Sequence, residues 1–304
     1  MPKVSVIIPN YNHSNYLYQR IESVLNQSYQ DFELIILDDF STDNSREVIE
    51  EYRGHPKISA IIYNESNSGS TFKQWEKGIS LAVGEFIWIA ESDDWCERSL
   101  LEELVKGLEM DENCVLSYCQ SYCIQNENII SWVSQSPYLS EIMDGDLFLK
   151  NLMIRNNTIF NSSMAIWKRA CFVNMSKDFT NYKFCGDWFF WMELAGMGKV
   201  HISGRVLNYF RKHDKDVSGA VNKSGVNFIE TLNLFNSFYK RNLISKKDYL
   251  KAYKIQYNAY YKVRKSLPGN NRIAVLKLFK HPLDSKRTYH KIILSNLWKR
   301  LRQK

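Results

Sequence analysis

Gly84-Glu85-Phe86-Ile87-Trp88-Ile89-Ala90-Glu91-Ser92-Asp93-Asp94 joins an unbroken apolar run to three carboxylates within four residues. An apolar run without polar alternation predicts a strand covered on both faces. Carboxylates crowded at its end repel one another unless a cation neutralises them. Hard oxygen ligands favour Mg²⁺ or Mn²⁺, which keep waters and bridge to substrate phosphates, so one or two protein carboxylates suffice. The competing reading is a solvated acidic turn that caps the helix expected from Glu97 to about Met110.

Working back towards the N-terminus, the same unit repeats. Val4-Ser5-Val6-Ile7-Ile8 predicts a buried strand, and Leu17, Ile21, Val24 and Leu25 mark a helix over Tyr16 to Gln27. Glu33 to Leu37 is a second strand ending at Asp38-Asp39. Ser41 to Ser45 supply N-cap chemistry for a helix reaching Tyr52. A strand over Ile58 to Tyr63 and a helix over Thr71 to Val83 complete the alternation. Such an order predicts an α/β fold with helices on both faces of a largely parallel sheet. Ligands of such sheets bind beyond the carboxyl ends of the strands. Three polar clusters belong there: Pro9 to His13, Asp38-Asp39 and Glu91 to Asp94. A carboxylate at position 38 or 39 can accept a nucleobase N–H or ribose hydroxyls, or can cap the following helix.

The middle of the chain is less regular. Val115 to Tyr118 reads as a strand, Trp188 to Leu194 as a short helix opened by Gly186-Asp187, and Val200 to Arg211 as a strand leading into Arg211-Lys212-His213. Asp187 is either the N-cap of its helix or a catalytic carboxylate. Trp188 and Trp191 are either core or a sugar-binding wall. Beyond residue 222 the pattern is helical: Phe228 to Tyr239, Lys247 to Lys265, Ile273 to Phe279 and Tyr289 to Leu301. Two domains are expected, residues 1–221 and a helical, basic C-terminal region, residues 222–304.

Composition bounds the function. The chain has 304 residues, 44% hydrophobic and 24% charged, which excludes disorder and collagen-like repeats. Its net charge of +7 is uneven: residues 222–304 carry +17 and the remainder −10. An acidic body argues against a nucleic-acid-binding core, and the basic region suits an anionic surface. Tyr253, Tyr257, Tyr260 and Tyr261 recur near helical spacing among lysines; Leu294, Leu297, Trp298 and Leu301 form an apolar stripe beside Lys291, Lys299, Arg300 and Arg302. These helices either pack as an appendage or lie on the anionic inner leaflet as a peripheral membrane contact. No stretch approaches the roughly 18 apolar residues of a membrane span. The run Val4 to Ile8 is too short for a secretory leader, so a cytoplasmic chain is expected. Cys96, Cys114, Cys119, Cys123, Cys171 and Cys185 contain no Cys-x-x-Cys pair and read as reduced, mostly buried thiols.

Five segments in order resemble the family 2 glycosyltransferases: Val4 to Asn12, Leu34 to Ser41, Gly84 to Asp94, Gly186-Asp187-Trp188, and Tyr209 to His213. The resemblance covers roughly residues 1 to 218. It implies the Rossmann-like GT-A fold and an inverting transfer of a sugar, with a UDP-sugar as expected donor and a glycan or lipid-linked acceptor in bacterial surface-polysaccharide assembly. It further implies that Pro9, Tyr11 and Asn12 line the nucleotide pocket and that Asp39 meets the uracil edge. Asn67 and Gly69 match the family's Asn-x-Gly loop. Asp93 and Asp94 correspond to the acidic metal motif, contacting Mn²⁺ or Mg²⁺ and the diphosphate, with Glu91 in place of the usual first aspartate. Asp187 is the expected general base. Arg211 becomes a phosphate contact and His213 a metal or diphosphate contact. The rivals are a nucleotidyltransferase, which lacks its glycine-rich loop here, and a non-catalytic sugar- or membrane-binding protein on the same scaffold.

Overall fold

The computed structural model describes residues 1–125, 129–213, 224–285 and 287–301, with residues 295–301 described by backbone alone. The chain divides into two compact units, Met1–Phe148 with Ile159–His213, and Leu149–Thr158 with Asp214–Lys304. The expected division between residues 221 and 222 falls outside the described residues.

The first unit begins with β1 (Val4–Asn10), α1 (Ser14–Leu25), β2 (Phe32–Asp38), α2 (Ser45–Glu51), β3 (Ile58–Tyr63), α3 (Thr71–Leu81) and β4 (Phe86–Ile89). Every residue of β1 and β4 is buried, as the wholly apolar β4 and the largely apolar β1 predict. β3 lies at the sheet's edge and is half-exposed. Order across this half is β3-β2-β1-β4, all parallel, with Val6 between Leu34 and Trp88. Gly78 lets α3 settle on the sheet: a Cβ there would stand 2.4 Å from Cγ2 of Ile7.

The second half of the unit is mixed. It contains β5 (Trp95–Cys96), α4 (Leu100–Glu109), β6 (Cys114–Gln125), β7 (Ile129–Val133), β8 (Ser140–Asp144), α5 (Gly145–Phe148), β9 (Ala165–Lys168), α6 (Gly186–Ala195) and β10 (Lys199–Lys212). β9 runs antiparallel to both β4 and β6, and β10 returns parallel to β6. β5 pairs antiparallel with β10, setting Tyr209 beside Trp95. That short pairing carries the residues after Asp94 and those before His213 to one place. α6 is buried almost all round, the pattern of a helix enclosed by its own unit.

The second unit holds α7 (Val226–Lys240), α8 (Lys246–Val263), α9 (Gly269–Lys280) and α10 (Arg287–Leu301). The tyrosines of α8 form its core: Tyr249, Tyr253, Tyr257 and Tyr260 are buried, the last three surround Phe279 of α9, and Tyr249 packs on Tyr253. Lys246, Lys247, Lys262 and Lys265 are exposed. Lys251 donates to the carbonyl of Lys150, joining segment 149–158 to this unit. Leu294 is exposed, whereas the side chains of Leu297, Trp298 and Leu301 lie outside the described residues. Among the described residues no helix is long and apolar enough to cross a membrane.

Candidate active site

β4 delivers a tight turn in which the amide of Asp94 donates to the carbonyl of Glu91. The turn presents Asp93, whose Oδ2 lies 3.1 Å from Nε2 of His213 at the end of β10. His13, just before α1, completes the group: one ligand atom from each of His13, Asp93 and His213 lies within 4.8 Å of the others. The Nδ1 of His13 hydrogen-bonds with Ser92 Oγ at 2.8 Å, which orients the ring. Tyr16 stacks on the His213 ring. Burial lowers the pKa of His13, favouring the neutral imidazole that a metal requires. Burial raises that of Asp93, but the His213 hydrogen bond and the positive charge that either imidazole carries when protonated outweigh it, and the net shift is downward. Two imidazole nitrogens and one carboxylate at this spacing fit a divalent cation, and the nitrogen donors favour Mn²⁺ over Mg²⁺.

Asp94 points the other way. It is fully buried. Its Oδ2 accepts from Asn161 Nδ2 and Ser163 Oγ, both at 2.7 Å, and its Oδ1 accepts from the amide of Arg211 at 3.0 Å. The guanidinium of Arg20, also fully buried, stands 3.8 Å from Oδ2. Burial and the neighbouring Asp93 charge push Asp94 up to about 7 against these donors. Asp94 therefore stands outside the His13–Asp93–His213 group and holds the turn that presents Asp93. Glu91 is likewise turned inward, accepting from Trp75 Nε1 and Ser162 Oγ, and burial pushes it up to about 8. Arg211 lies sandwiched between Tyr16 and Trp95, with Nη1 donating to the carbonyl of Asp93 and Nη2 to Gln19. Those bonds fix it as a brace of the Asp93 turn.

The other expected residues gather beyond β1 and β2. Pro9 is buried within β1, next to Leu37. Tyr11 is 46% exposed. Asn12 adopts a left-handed φ of 57°, donates its amide to Ser41 Oγ and accepts from the amide of Thr42. Asp39 is buried, and its carboxylate accepts from Asn64, from Gln74 and from both the amide and the hydroxyl of Ser68. Asn67 donates to the Asp39 carbonyl and accepts from the amide of Gly69, whose φ is 71°. Asp39 thus shapes the loop that contains Asn67 and Gly69. Asp38 accepts from Asn10 Nδ2 and the Ser41 amide.

Asp187 occupies the first turn of α6, half-buried, with Oδ1 2.7 Å from the amide of Trp188. Its neighbour Gly186 abuts the Phe72 ring, Phe72 packs on Trp75, and Trp75 donates to Glu91. This chain of contacts connects the start of α6 to the Glu91–Asp94 turn. Trp188 and Trp191 are buried and belong to the core. A profile described as Glycosyl transferase family 2 matches residues 5–173.

The chain belongs to glycosyl transferase family 2.

Among its relatives, glycosyltransferase GlyG of Streptococcus pneumoniae is 32% identical over 166 residues, 54% of each chain. A putative teichuronic acid biosynthesis glycosyltransferase, TuaG of Bacillus subtilis, is 34% identical over 117 residues, 38% of this chain and 46% of its own. The matches span about half the length of these curated relatives. The crystal structure of S. aureus TarS 1-349 in complex with UDP-GlcNAc superposes with a TM-score of 0.70 at 18% identity, covering 91% of this chain and 81% of that one. The structural likeness carries the fold, and the expected family and GT-A architecture are borne out.

Within this family 2 scaffold, sequence reasoning missed two roles. His13 was visible only as part of a polar cluster, 80 positions away from Asp93 in the chain. Arg20 sits on the apolar stripe of α1 with Leu17, Ile21 and Val24, all buried. A charge at a core position of a helical period signals a buried ion pair, and that signal was present.

Proposed function

We propose that this chain is a metal-dependent, inverting glycosyltransferase that moves a sugar from a nucleotide-sugar donor, a UDP-sugar, to a hydroxyl of a glycan or lipid-linked acceptor in surface-polysaccharide synthesis. The observation that carries the reading is the convergence of His13, Asp93 and His213, from three distant segments, at the carboxyl edge of the sheet. A relative named for teichuronic acid biosynthesis and a fold neighbour solved with UDP-GlcNAc support the donor and pathway class.

Asp93 and His213 would hold Mn²⁺ or Mg²⁺, with His13 as a third ligand. When bound, the ion supplies positive charge that offsets the charge developing on the departing diphosphate. The protein's own groups do the rest. Pro9, Tyr11 and Asn12 form the nucleotide side of the pocket; Asp39 shapes it by holding the Asn67–Gly69 loop. Arg20, Asn161, Ser163 and Asp94 fix the turn so that Asp93 is aligned before the donor arrives. An acceptor hydroxyl oxygen bonds to the anomeric carbon as the bond to the diphosphate oxygen breaks. Asp187 takes the hydroxyl proton, which is worth about 10²–10⁴-fold in rate.

The second unit extends the proposal. Arg272, Lys277 and Lys280 are exposed on α9 with Ile273, an arrangement suited to peripheral attachment at an anionic cytoplasmic leaflet. Each such cation contributes about 1 kcal/mol near that surface. Calorimetric titration of UDP with and without Mn²⁺ tests the central claim: metal-dependent binding is expected, and binding indifferent to the metal would end it. Asp187→Asn should abolish transfer while UDP–Mn²⁺ affinity stays within about twofold; lost nucleotide affinity would make residue 187 a donor-binding or structural group.

A further inference from the structure

The aromatic residues singled out in the sequence as a sugar-binding wall, Trp188 and Trp191, are interior. A different aromatic surface lies open. Trp132 on β7 is the most exposed tryptophan among the described residues, at 39%. Its ring centroid is 4.6 Å from that of Phe160, and Phe160 is 6.2 Å from Phe210 of β10. Phe160 and Phe210 are both half-exposed. Cys123 of β6 pairs with Trp132 on one side and with Phe210 on the other, so Trp132 and Phe210 project from one face of the sheet. A bulge between Cys123 and Ile124 breaks the β6–β7 register beside Trp132. Lys212 reaches over the Phe210 ring at the rim.

The position of these rings ties them to the transfer chemistry. Phe160 directly precedes Asn161, which donates to Asp94, and lies two residues from Ser162, which donates to Glu91. Through Trp75 and Phe72 the same Glu91 connects to the start of α6 and Asp187. Phe210 directly precedes Arg211, the brace of the Asp93 turn. Half-exposed rings in mutual contact remain wetted at a cost that burial elsewhere avoids. A pyranose ring has one face of axial C–H groups and a rim of hydroxyls; the Trp132 indole, set at 71° to the Phe160 ring, offers a face for the first, and Lys212 at the rim a donor for the second.

We infer that Trp132, Phe160 and Phe210 form a platform for a sugar ring of the acceptor, beside the reacting hydroxyl. The inference rests on the glycosyltransferase reading and assigns that enzyme's acceptor a carbohydrate, not a lipid, at the site of contact. The test uses the full chain and a panel of methyl glycosides of glucose, galactose, N-acetylglucosamine and N-acetylgalactosamine, read by saturation-transfer NMR. At least one should receive saturation on the C–H face of its ring. Trp132→Ala should weaken that signal's affinity about tenfold, Trp132→Phe should restore most of it, and UDP–Mn²⁺ affinity should be unchanged in both. If no glycoside binds the parent chain, or if Trp132→Ala binds as well as the parent, the platform is overturned. Should UDP–Mn²⁺ binding be missing from the parent chain, it is the transferase reading that fails instead. A shift from oligomer to monomer in sedimentation of Trp132→Ala would assign the patch to a second copy of the chain, and would also overturn the proposal.

Discussion

Two acidic turns stand at the carboxyl edge of the sheet, on either side of β1, and behave differently. At the end of β2, Asp38 and Asp39 both accept hydrogen bonds from backbone and side-chain donors of neighbouring loops. After β4 the pair is split: Asp94 is saturated by interior donors, whereas Asp93 faces two imidazoles. An acidic pair at a strand end is therefore not a site in itself. What distinguishes a ligand from an anchor is how many protein donors each carboxylate already serves. In the β4 turn the two functions fall to adjacent residues, and the anchor makes the ligand possible.

The contrast can be broken most severely at Asp94. Asp94→Asn leaves the Arg20 guanidinium buried without its counter-charge and should cost about 3–5 kcal/mol. A scanning calorimeter should register a fall of roughly 10 °C in Tm. Asp93→Asn tests the opposite limb: Tm should move by no more than about 2 °C, while Mn²⁺-dependent UDP affinity falls about 100-fold or more. If the two variants exchanged phenotypes, the division of labour proposed for this turn would be wrong. The smallest expected effect is at β2. Asp39→Asn should cost about 1–3 kcal/mol by leaving donors of the 64–70 loop unmatched, and hydrogen exchange at the Ser68 amide should accelerate. A loop as stable in that variant as in the parent would show that the Asp39 carboxylate is not needed to hold it, and would favour the nucleobase contact expected from the resemblance.

Much of this was legible in the sequence, for identifiable reasons. β1, β2 and β4 announced themselves because strands covered on both faces are near-continuous apolar runs. The helices of the second unit followed from periodicity, and the tyrosines at that period turned out to be its core. β7 and β8 left little trace: both are short, β7 is mostly exposed and β8 half-exposed, so no pattern of burial is written into them. α6 was visible as a helix, but its period could not say which face is buried, because nearly all of it is.

The site was legible by strand ends and by resemblance, not by ligation. Asp93, Asp94 and His213 stood out, yet their roles differ, since adjacent residues of a turn point in different directions. His13 joins Asp93 only because β1 and β4 are neighbours in the sheet, and His213 arrives through the β5–β10 pairing. Spacing along a chain does not encode such adjacency until the topology is known.

Gly186 carries a final consequence. A β-carbon at that position would fall 2.5 Å from the Phe72 ring and 2.7 Å from the carbonyl oxygen of Phe179. Even alanine would wedge α6 away from α3, carrying residue 187 with it. The carboxylate expected to accept the proton is thus indexed to the protein interior by the absence of a methyl group next door. An engineer seeking new acceptors on this scaffold should vary the open rim and leave the dipeptide 186–187 untouched.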